Sequence, residues 1–278
     1  YYDVNENGVY DPVLDDSNPP MPIKPVYDGS GNLTAGGDYP GLAQADQVVF
    51  FVINDNNLGK TTGLYGSVPI GIECQTTVWA YNQPENSLGQ IVFKKYKVIN
   101  KSAFVIDSMY FSQWSDPDLG DYGNDLTGCD TTLSLMFAYN GPPADDQYAA
   151  FKLAPPAVGY DFFQGPMVPG SPTDTAVFDL KKVPGYKNLP MTSYGYFGSG
   201  TDWTDPDLEE YNGTLQWYNL LRGYAPTDDI QNPTWFVAST GPNAGNPTKF
   251  PLSGDPISAD GDVDGIEYQA GDRRMLQC

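Results

Sequence analysis

The stretch Ile70-Gly71-Ile72-Glu73-Cys74-Gln75-Thr76-Thr77-Val78-Trp79-Ala80 alternates between two sets of residues along its whole length. A period of two is typical of a β-strand, because successive side chains point to opposite faces of a sheet. The even-numbered positions form the apolar set and include Cys74, so we expect this thiol to be buried and structural. The stretch therefore predicts a β-strand.

Similar runs lie on both sides of this strand. Val48-Val49-Phe50-Phe51-Val52-Ile53 comes before it, and further strands are predicted at residues 90–99, 104–113 and 131–139. The 30 Gly and 25 Pro residues imply many turns between strands. We therefore predict a mainly β fold, an antiparallel β-sandwich with long ordered loops and one short helix. An acidic N-terminal segment, residues 1–46, would precede a β-rich core domain, residues 47–278.

The one predicted helix starts near Asp207. Asp207 and Glu210 have the spacing of a capping box, in which each side chain accepts a backbone N–H of the other residue. Arg222-Gly223 is a typical helix end. Between them, apolar residues recur at helical spacing: Leu208, Tyr211, Leu215, Tyr218 and Leu221.

One predicted strand and the turn after it carry a basic cluster, made of Lys94, Lys95, Lys97 and Lys101. Lysines on an edge strand discourage pairing with the sheets of other molecules. A contact for an anion or a glycan is the alternative interpretation.

Charge and composition exclude several function classes. The 278 residues carry a formal net charge of −21 and no histidine. Catalytic triads that use histidine, His-ligated zinc and His-based proton transfer are therefore excluded. Nucleic-acid binding needs a basic face, which so acidic a chain does not offer. We also expect no membrane span, because no apolar run approaches 18 residues.

Aspartate supplies 29 of the 35 acidic residues, which favours turns, helix caps and calcium loops over solvated helices. The stretch Asp3-Val4-Asn5-Glu6-Asn7-Gly8-Val9-Tyr10-Asp11 has the layout of the first half of an EF-hand-type loop. Asp3, Asn5 and Asn7 would offer side-chain oxygens to Ca²⁺, and Val9 would offer its backbone carbonyl. Leu14 stands where an acidic ligand is expected, so Asp11, Asp15 or Asp16 would replace it.

This first loop resembles the calcium loops of dockerins and of thrombospondin type 3 repeats. A second stretch, Asp260-Gly261-Asp262-Val263-Asp264-Gly265-Ile266-Glu267, has the same layout, with Asp272 one residue late for the last ligand. Here the predicted ligands are Asp260, Asp262, Asp264, the carbonyl of Ile266, and Asp272. For both stretches, a turn rich in Asp and Asn that binds no metal is the alternative.

A third acidic cluster extends from Asp116 to Asp130. Carboxylates crowded at this density repel each other, and a bound cation would remove that cost. The predicted ligands in this cluster are Asp116, Asp118, Asp121 and Asp125.

Cys74, Cys129 and Cys278 are the three cysteines. Either one pair forms a disulfide or all three remain free, since no Cys-x-x-Cys spacing indicates a zinc site. The chain begins at Tyr1 and opens within the first loop motif, so we expect it to be a piece of a longer precursor.

Several stretches occur in an order that resembles large secreted proteins of Bacteroidota and Ignavibacteria-type bacteria, which usually end in a type IX secretion sorting domain. The resemblance implies export and an extracellular or cell-surface location, and it implies no activity. The stretches that carry it are Gly37–Pro40, Asp46–Val49, Pro69–Glu73, Trp114–Gly120, Gly128–Leu133, Pro155–Pro166 and Gly271–Arg274.

In such bacteria, Asp followed by Ser or Thr and then an aliphatic residue, Met or Thr resembles an O-glycosylation signal. It occurs at Asp107-Ser108-Met109, Asp130-Thr131-Thr132 and Asp174-Thr175-Ala176. Ser108, Thr131 and Thr175 are therefore predicted glycosylation sites, although the first two fall near predicted strands that would hinder modification.

Taken together, these features predict a secreted structural or adhesive surface protein that is stabilised by Ca²⁺ and is not an enzyme. It would be a subunit of an extracellular fibre or layer, associating with itself or with other surface proteins and glycans. A glycan-binding module of a polysaccharide-utilising system is the alternative. A glycoside hydrolase with two facing carboxylates is a third hypothesis.

Overall fold

The computed structural model describes residues 3–7, 9–39, 42, 45–178 and 181–278, and of Tyr65 only the backbone. The protein is mostly β, with 31% strand and 11% helix, which confirms the predicted fold class. All strand pairs are antiparallel, and the sheets have two or three strands. The sandwich arrangement stays a prediction.

The chain divides into two compact units, and the division does not fall between residues 46 and 47. Unit 1 contains Tyr1–Leu58 and Pro69–Val105, and unit 2 contains Gly59–Val68 and Ile106–Cys278. Unit 1 has a 3₁₀ turn, Ser87–Gln90, and five strands: β1 Val26–Tyr27, β2 Leu33–Ala35, β3 Gln47–Asn54, β4 Ile72–Ala80 and β5 Val92–Asn100.

The main feature of unit 1 is a three-stranded sheet in the order β3-β4-β5. The register, in which Phe51 pairs with Thr76 and Thr76 with Tyr96, places alternate residues of all three strands on a common side. We call this side the apolar face. Its members are Gln47, Val49, Phe51 and Ile53 of β3, Ile72, Cys74, Thr76, Val78 and Ala80 of β4, and Val92, Lys94, Tyr96, Val98 and Asn100 of β5.

Unit 2 holds three helices: α1, Leu58–Tyr65, whose first residue belongs to unit 1, α2, Asp146–Ala149, and α3, Tyr211–Leu221. A 3₁₀ turn spans Tyr122–Asn124. The strands of unit 2 are β6 Gln113–Ser115, β7 Asp125–Asp130, β8 Leu135–Asn140, β9 Ala157–Asp161, β10 Met167–Pro169, β11 Thr175–Phe178, β12 Lys181–Pro184, β13 Tyr186–Asn188, β14 Tyr194–Gly198, β15 Phe236–Val237, β16 Pro247–Thr248 and β17 Arg273–Gln277.

The hydrophobic core lies in unit 2. Two three-stranded sheets, β14-β17-β6 and β7-β8-β9, supply most of it, and α3 adds Leu220. In the first sheet β17 is the middle strand, and its side chains are almost all buried. The core contains Leu119, Cys129, Met136, Ala138, Met191, Tyr194, Tyr196, Phe197, Leu220, Ala225, Phe236, Leu252, Met275 and Leu276.

The structure confirms the strands predicted at 48–53, 70–80 and 90–99 and corrects the two others. No strand covers residues 104–112, where Phe104 and Val105 are exposed. The strand predicted at 131–139 starts at Leu135, because the Asp130 side chain accepts the N–H groups of Thr132 and Leu133 and bends the chain. The region after α3 contains β15, β16 and β17, and the sequence predicted none of these strands.

The helix predictions also need correction. The predicted helix exists, but it begins at Tyr211, and its N-cap residue Glu210 makes no side-chain cap hydrogen bond. Gly223 follows its C-terminal end with φ +82°, as the sequence indicated. Two further helices, α1 and α2, were not predicted. Cys74 is partly exposed rather than buried.

Candidate metal centre

Three carboxylates converge beside the β14-β17-β6 sheet. Ser115 of β6 pairs with Met275 of β17, so continuing this antiparallel register brings Asp116 and Asp118 alongside Asp272. One carboxylate oxygen from each of the three residues lies within 4.8 Å of the others. We call these three residues the acidic triad. The sequence predicted all three as ligands, but it assigned Asp272 to the loop at 260–267 and not to this cluster.

Arg274 supplies positive charge to the triad. Its Nε lies 3.4 Å from Asp116 Oδ2 and 3.3 Å from Asp205 Oδ1, and its Nη2 lies 2.9 Å from Asp272 Oδ2. Burial raises the pKa of Asp116, Arg274 opposes the shift, and Asp272, Asp118 and Asp205 reinforce it, so the pKa stays above its ordinary value. The single positive charge of Arg274 therefore does not neutralise the negative charges of the triad and Asp205.

Asp125 is the buried member of the acidic cluster, with 1% of its surface exposed. Its Oδ2 accepts the N–H of Leu119 at 3.0 Å, whereas its Oδ1 is buried without a hydrogen-bond partner. Burial raises the pKa of Asp125 to about 6, against the Leu119 hydrogen bond, and the charges of Asp118, Asp145 and Asp121 add to the shift. The side-chain oxygens of the neighbouring Asn124 and of Asn140, which pairs with Asp125, are also buried without a donor.

Asp121, the fourth predicted ligand of this cluster, has a structural role. Its Oδ1 accepts the N–H of Gly123 at 2.9 Å and caps the 3₁₀ turn. The sequence reasoning missed Asp145, which holds the same loop from the other side. Asp145 accepts the N–H groups of Asp121, Gln147 and Tyr148 and the Nδ2 of Asn124. Its position just before α2 is an N-cap signal that the sequence does contain.

The second predicted calcium loop does not gather its acidic side chains around one point. Asp262 accepts N–H groups from Ser239, Thr240 and Leu252. Asp264 is paired with the buried Arg273. Asp260 and Ile266 are exposed, and Asp272 belongs to the acidic triad. Two of the four carboxylates that the spacing assigned to Ca²⁺ therefore have other partners: backbone amides for Asp262 and a guanidinium for Asp264.

The first predicted loop does bring its polar side chains together, although Gly8 lies outside the described residues. The backbone N–H of Asn7 is 3.2 Å from Asp3 Oδ1 and 3.1 Å from Asn5 Oδ1. Both Asn5 Nδ2 and Asn7 Nδ2 lie 3.3 Å from Asp11 Oδ2. Calcium binding here stays a prediction.

The last two predicted ligands of the first loop have different surroundings. Val9 is exposed, and its N–H donates to Asn7 Oδ1. Asp15 accepts the N–H groups of Ser17 and Met21 and so closes a separate turn.

The predicted glycosylation sites are all exposed. Ser108 lies in irregular chain, Thr131 lies in the turn between β7 and β8, and Thr175 is the first residue of β11. The concern that a sheet would hold Ser108 and Thr131 is therefore wrong, and their modification stays a prediction.

All three cysteines are free. Burial raises the pKa of the Cys278 thiol to about 11 and that of Cys129 further still, so neither is a reactive thiolate at neutral pH.

Unit 2 also has an open cleft of about 540 Å³ next to the triad. Asp272 belongs to both, and the exposed ring of Tyr122 lies on the cleft wall together with Glu267 and Tyr268. Within the described ranges, no helix is both long and apolar enough to cross a membrane. Comparisons of this chain with protein-family models, with curated protein sequences and with solved structures found no match.

Proposed function

We propose that this chain is a structural or adhesive domain of a secreted surface protein and that it assembles with copies of itself through the apolar face of unit 1. The observation that carries the proposal is the exposure of this face: Val49 is 48% exposed, Phe51 43%, Ile53 53% and Tyr96 50%. Secretion rests on the sequence resemblance given above.

A sheet is normally stabilised by packing one of its faces against another layer. In unit 1 the large apolar side chains of β3 are exposed on both faces, and Phe50 is 54% exposed. Burying one such side chain contributes about 1.5–3 kcal/mol. A partner that covers the apolar face would therefore supply the second layer.

The distribution of charge favours a second copy as this partner. The strands that form the apolar face are described in full, and they place no Asp or Glu on it, although the chain has 35 acidic residues. Elsewhere, two copies of a chain with a net charge of −21 repel each other. The apolar face is thus a surface on which like-charge repulsion does not oppose association. Three of the four clustered lysines lie on β5, which is an edge strand as the sequence indicated.

The test is the assembly state in solution. We expect light scattering coupled to size exclusion, and native mass spectrometry, to detect dimers or larger assemblies of the chain. Phe51→Asp places a charge in the middle of the apolar face and should return the protein to a monomer. Val105→Asp is the matched control, because Val105 is 93% exposed and lies outside the sheet. A chain that is monomeric at all concentrations, or a Phe51→Asp variant that still assembles, would overturn the proposal.

Glycan binding is the second candidate function, and the cleft in unit 2 favours it. The cleft is lined by the exposed ring of Tyr122 and by the carboxylates of Glu267 and Asp272. Such a lining suits a sugar that stacks on a ring and donates hydrogen bonds. A glycan array probed with the chain and with Tyr122→Ala tests it. Hits that the substitution removes would favour this function, and an array without hits would exclude it.

A further inference from the structure

Strand β3 lies at one side of the β3-β4-β5 sheet of unit 1, and β4 is its only strand partner among the described residues. On the side of β3, the carbonyl of Ile72 in β4 accepts the N–H of Asp55 at 3.2 Å. On the side of β5, the carbonyl of Gly71 accepts the N–H of Lys101 at 2.8 Å. Even-numbered residues of β4 therefore bond to β3, and odd-numbered residues bond to β5.

The same alternation decides which backbone groups of β3 face outward. The register pairs each even-numbered residue of β4 with an odd-numbered residue of β3. Because neighbouring residues of a strand direct their N–H and C=O groups to opposite sides, the even-numbered residues of β3 direct theirs away from β4. These outward residues are Val48, Phe50, Val52 and Asn54. β3 therefore presents an eight-residue edge to which no described strand is bonded.

The two edges of this sheet differ in how they are protected from pairing. β5 carries Lys94, Lys95 and Lys97, and lysines on an edge strand oppose pairing with another sheet. β3 contains no charged residue and no proline, and seven of its eight residues are exposed. A long, apolar and exposed edge is a site where another strand can add to the sheet. The sheet is therefore open at β3 and protected at β5.

We propose that β3 pairs antiparallel with β3 of a second copy of the chain, so that the two molecules share one six-stranded sheet. The strand is complementary to itself. A two-fold pairing centred on Phe50 places Val48 opposite Val52 and Val49 opposite Phe51, so apolar side chains meet apolar side chains. The lack of charge on β3 means that the repulsion between two molecules of net charge −21 has no source in the paired strands.

The edge contact goes beyond association through the apolar face and does not depend on it. In the two-fold pairing, Val49 and Phe51 of both copies lie on the same side, so the two apolar faces join into one surface. This continuity favours a second copy over an unrelated strand. A single two-fold contact closes a dimer, whereas two such contacts whose axes do not meet build an open-ended assembly. The open-ended assembly rests on the proposed function, and the edge contact alone does not.

Amide hydrogen exchange of the unsubstituted chain, resolved by residue at low and high protein concentration, tests the backbone pairing directly. The N–H groups of Val48, Phe50, Val52 and Asn54 should exchange fast in the monomer and about ten-fold or more slowly in the assembled protein. The N–H groups of the odd-numbered residues, which bond to β4, should be protected at both concentrations. Association through the apolar face alone leaves the outward N–H groups in fast exchange, so the measurement separates the two contacts.

Substitutions at Val52 provide the second test. Val52→Pro removes an outward N–H and leaves the hydrogen bonds to β4 in place. Val52→Ala is the matched control, because it shortens the same side chain and keeps the N–H. We expect light scattering coupled to size exclusion to show association at this edge weakened about ten-fold or more by Val52→Pro and much less by Val52→Ala.

A third variant separates the edge from the apolar face. Phe51→Asp disturbs both contacts, because Phe51 lies on β3 and on the apolar face. Tyr96→Asp places a charge on the apolar face at β5, two strands away from the edge, so this variant should still form the edge dimer.

The outcomes distinguish failure of the edge contact from failure of the proposed function. A chain that is monomeric at all concentrations overturns both. Outward N–H groups that stay in fast exchange in the assembled protein, or a monomeric Tyr96→Asp variant, overturn the edge contact and leave the apolar face. Equal weakening by Val52→Pro and Val52→Ala would mean that side-chain burial rather than backbone pairing joins the copies, which also overturns it. If Val52→Pro fails to fold, the exchange measurement still decides the question.

Discussion

Asp264 and Arg273 form an ion pair whose side chains are both fully buried in unit 2. Arg273 Nε lies 2.9 Å from Asp264 Oδ2, and its Nη2 lies 3.2 Å from Oδ1. Asp264 also accepts the N–H of Thr127, which ties β7 to β17. The carbonyls of Ser199 and Gln269 accept hydrogen bonds from Nη1 and Nη2 of the guanidinium. Both charged side chains therefore have hydrogen-bond partners beyond each other, which a buried ion pair needs in order to offset the cost of leaving water.

We predict that Asp264→Asn lowers the free energy of unfolding by about 3–5 kcal/mol, because it leaves the Arg273 charge buried without its counter-ion. Denaturant unfolding measures this loss. Asp260→Asn is the control in the same loop, where the side chain is exposed and the change should be within about 0.5 kcal/mol. The loss for Asp264→Asn should be equal in calcium and in chelator. A loss that appears only in calcium would mean that Asp264 is a metal ligand.

A second residue-scale prediction concerns Asp55, which joins β3 to β4. Its carboxylate accepts the N–H groups of Ile70, Gly71 and Ile72 at 2.6–3.0 Å. Burial of the carboxylate raises its pKa, but these backbone hydrogen bonds outweigh that effect and hold the pKa below its ordinary value. The stabilisation is therefore present above the unfolded pKa of about 4 and is lost as the pH falls through the folded pKa.

We expect Asp55→Asn to destabilise unit 1 by about 1–3 kcal/mol at neutral pH, since hydrogen bonds to a charged acceptor are weakened. The gap to the unsubstituted protein should begin to close as the pH falls below about 4 and should vanish below the lowered folded pKa, where Asp55 is neutral in the folded state as well. Unfolding midpoints measured from pH 7 to pH 2 check this. Asp16→Asn, at an exposed position of unit 1, should show no such gap, and a gap for Asp55→Asn that is independent of pH would contradict the assignment.

At the scale of residues, the sequence predicted where acidic and amide side chains are concentrated. It did not predict which group each of these side chains contacts. The spacing of Asp3, Asn5 and Asn7 is the same as that of Asp260, Asp262 and Asp264. Only the fold determines that Asp264 faces Arg273, whereas Asp3 and Asn5 face the backbone of their own loop. Spacing along a chain fixes local geometry, and it does not fix which charge the remainder of the fold brings nearby.

At the scale of elements, α3 contains a glycine that sequence rules count as a weakness. A Cβ at position 213 would lie 1.7 Å from the backbone oxygen of Asp207, so the close approach of that segment requires glycine. In α1, a Cβ on Gly63 would meet nothing within 4 Å. The two glycines therefore form a matched pair with opposite expectations.

We predict that Gly213→Ala destabilises unit 2 by about 1–3 kcal/mol, because the backbone at Asp207 must move. Gly63→Ala should instead stabilise by about 0.5–1 kcal/mol, which is the gain in helix propensity. Thermal unfolding and circular dichroism of both variants measure the difference. If both substitutions stabilise, the packing of residue 207 against α3 is not as described.

The strands that could be predicted are those with a local pattern. β4 alternates without interruption, and β3 is a continuous apolar run, so both were found. β7 was not found, because its sequence Asp125–Asp130 contains two aspartates and a glycine and is polar at both ends. Its strand conformation comes from pairing with β8 and from the turn at Asp130, and the second of these is visible only when side-chain hydrogen bonds are known.

At the scale of the whole molecule, the strand patterns and the content of Gly and Pro predicted a mainly β protein. No linear boundary, however, describes its two units. Residues 59–68 belong with residues 106–278, where the Leu64 carbonyl accepts the N–H of Glu209. Gly66, at φ +67°, allows the backbone of Glu210 to approach. The residues that return to unit 2 form no apolar pattern of their own, so sequence periodicity could not assign them.

The middle position of β17 has a consequence for how unit 2 folds. Ser115 of β6 and Tyr194 of β14 are joined in one sheet only through β17, which pairs with both. Closing a loop as long as the one from Ser115 to Met275 costs chain entropy before the contacts form, so we expect slow folding of high contact order. Until β17 is inserted, β6 and β14 present open edges that another molecule could occupy. The risk of misassembly is therefore greatest before β17 has paired with both of its neighbours.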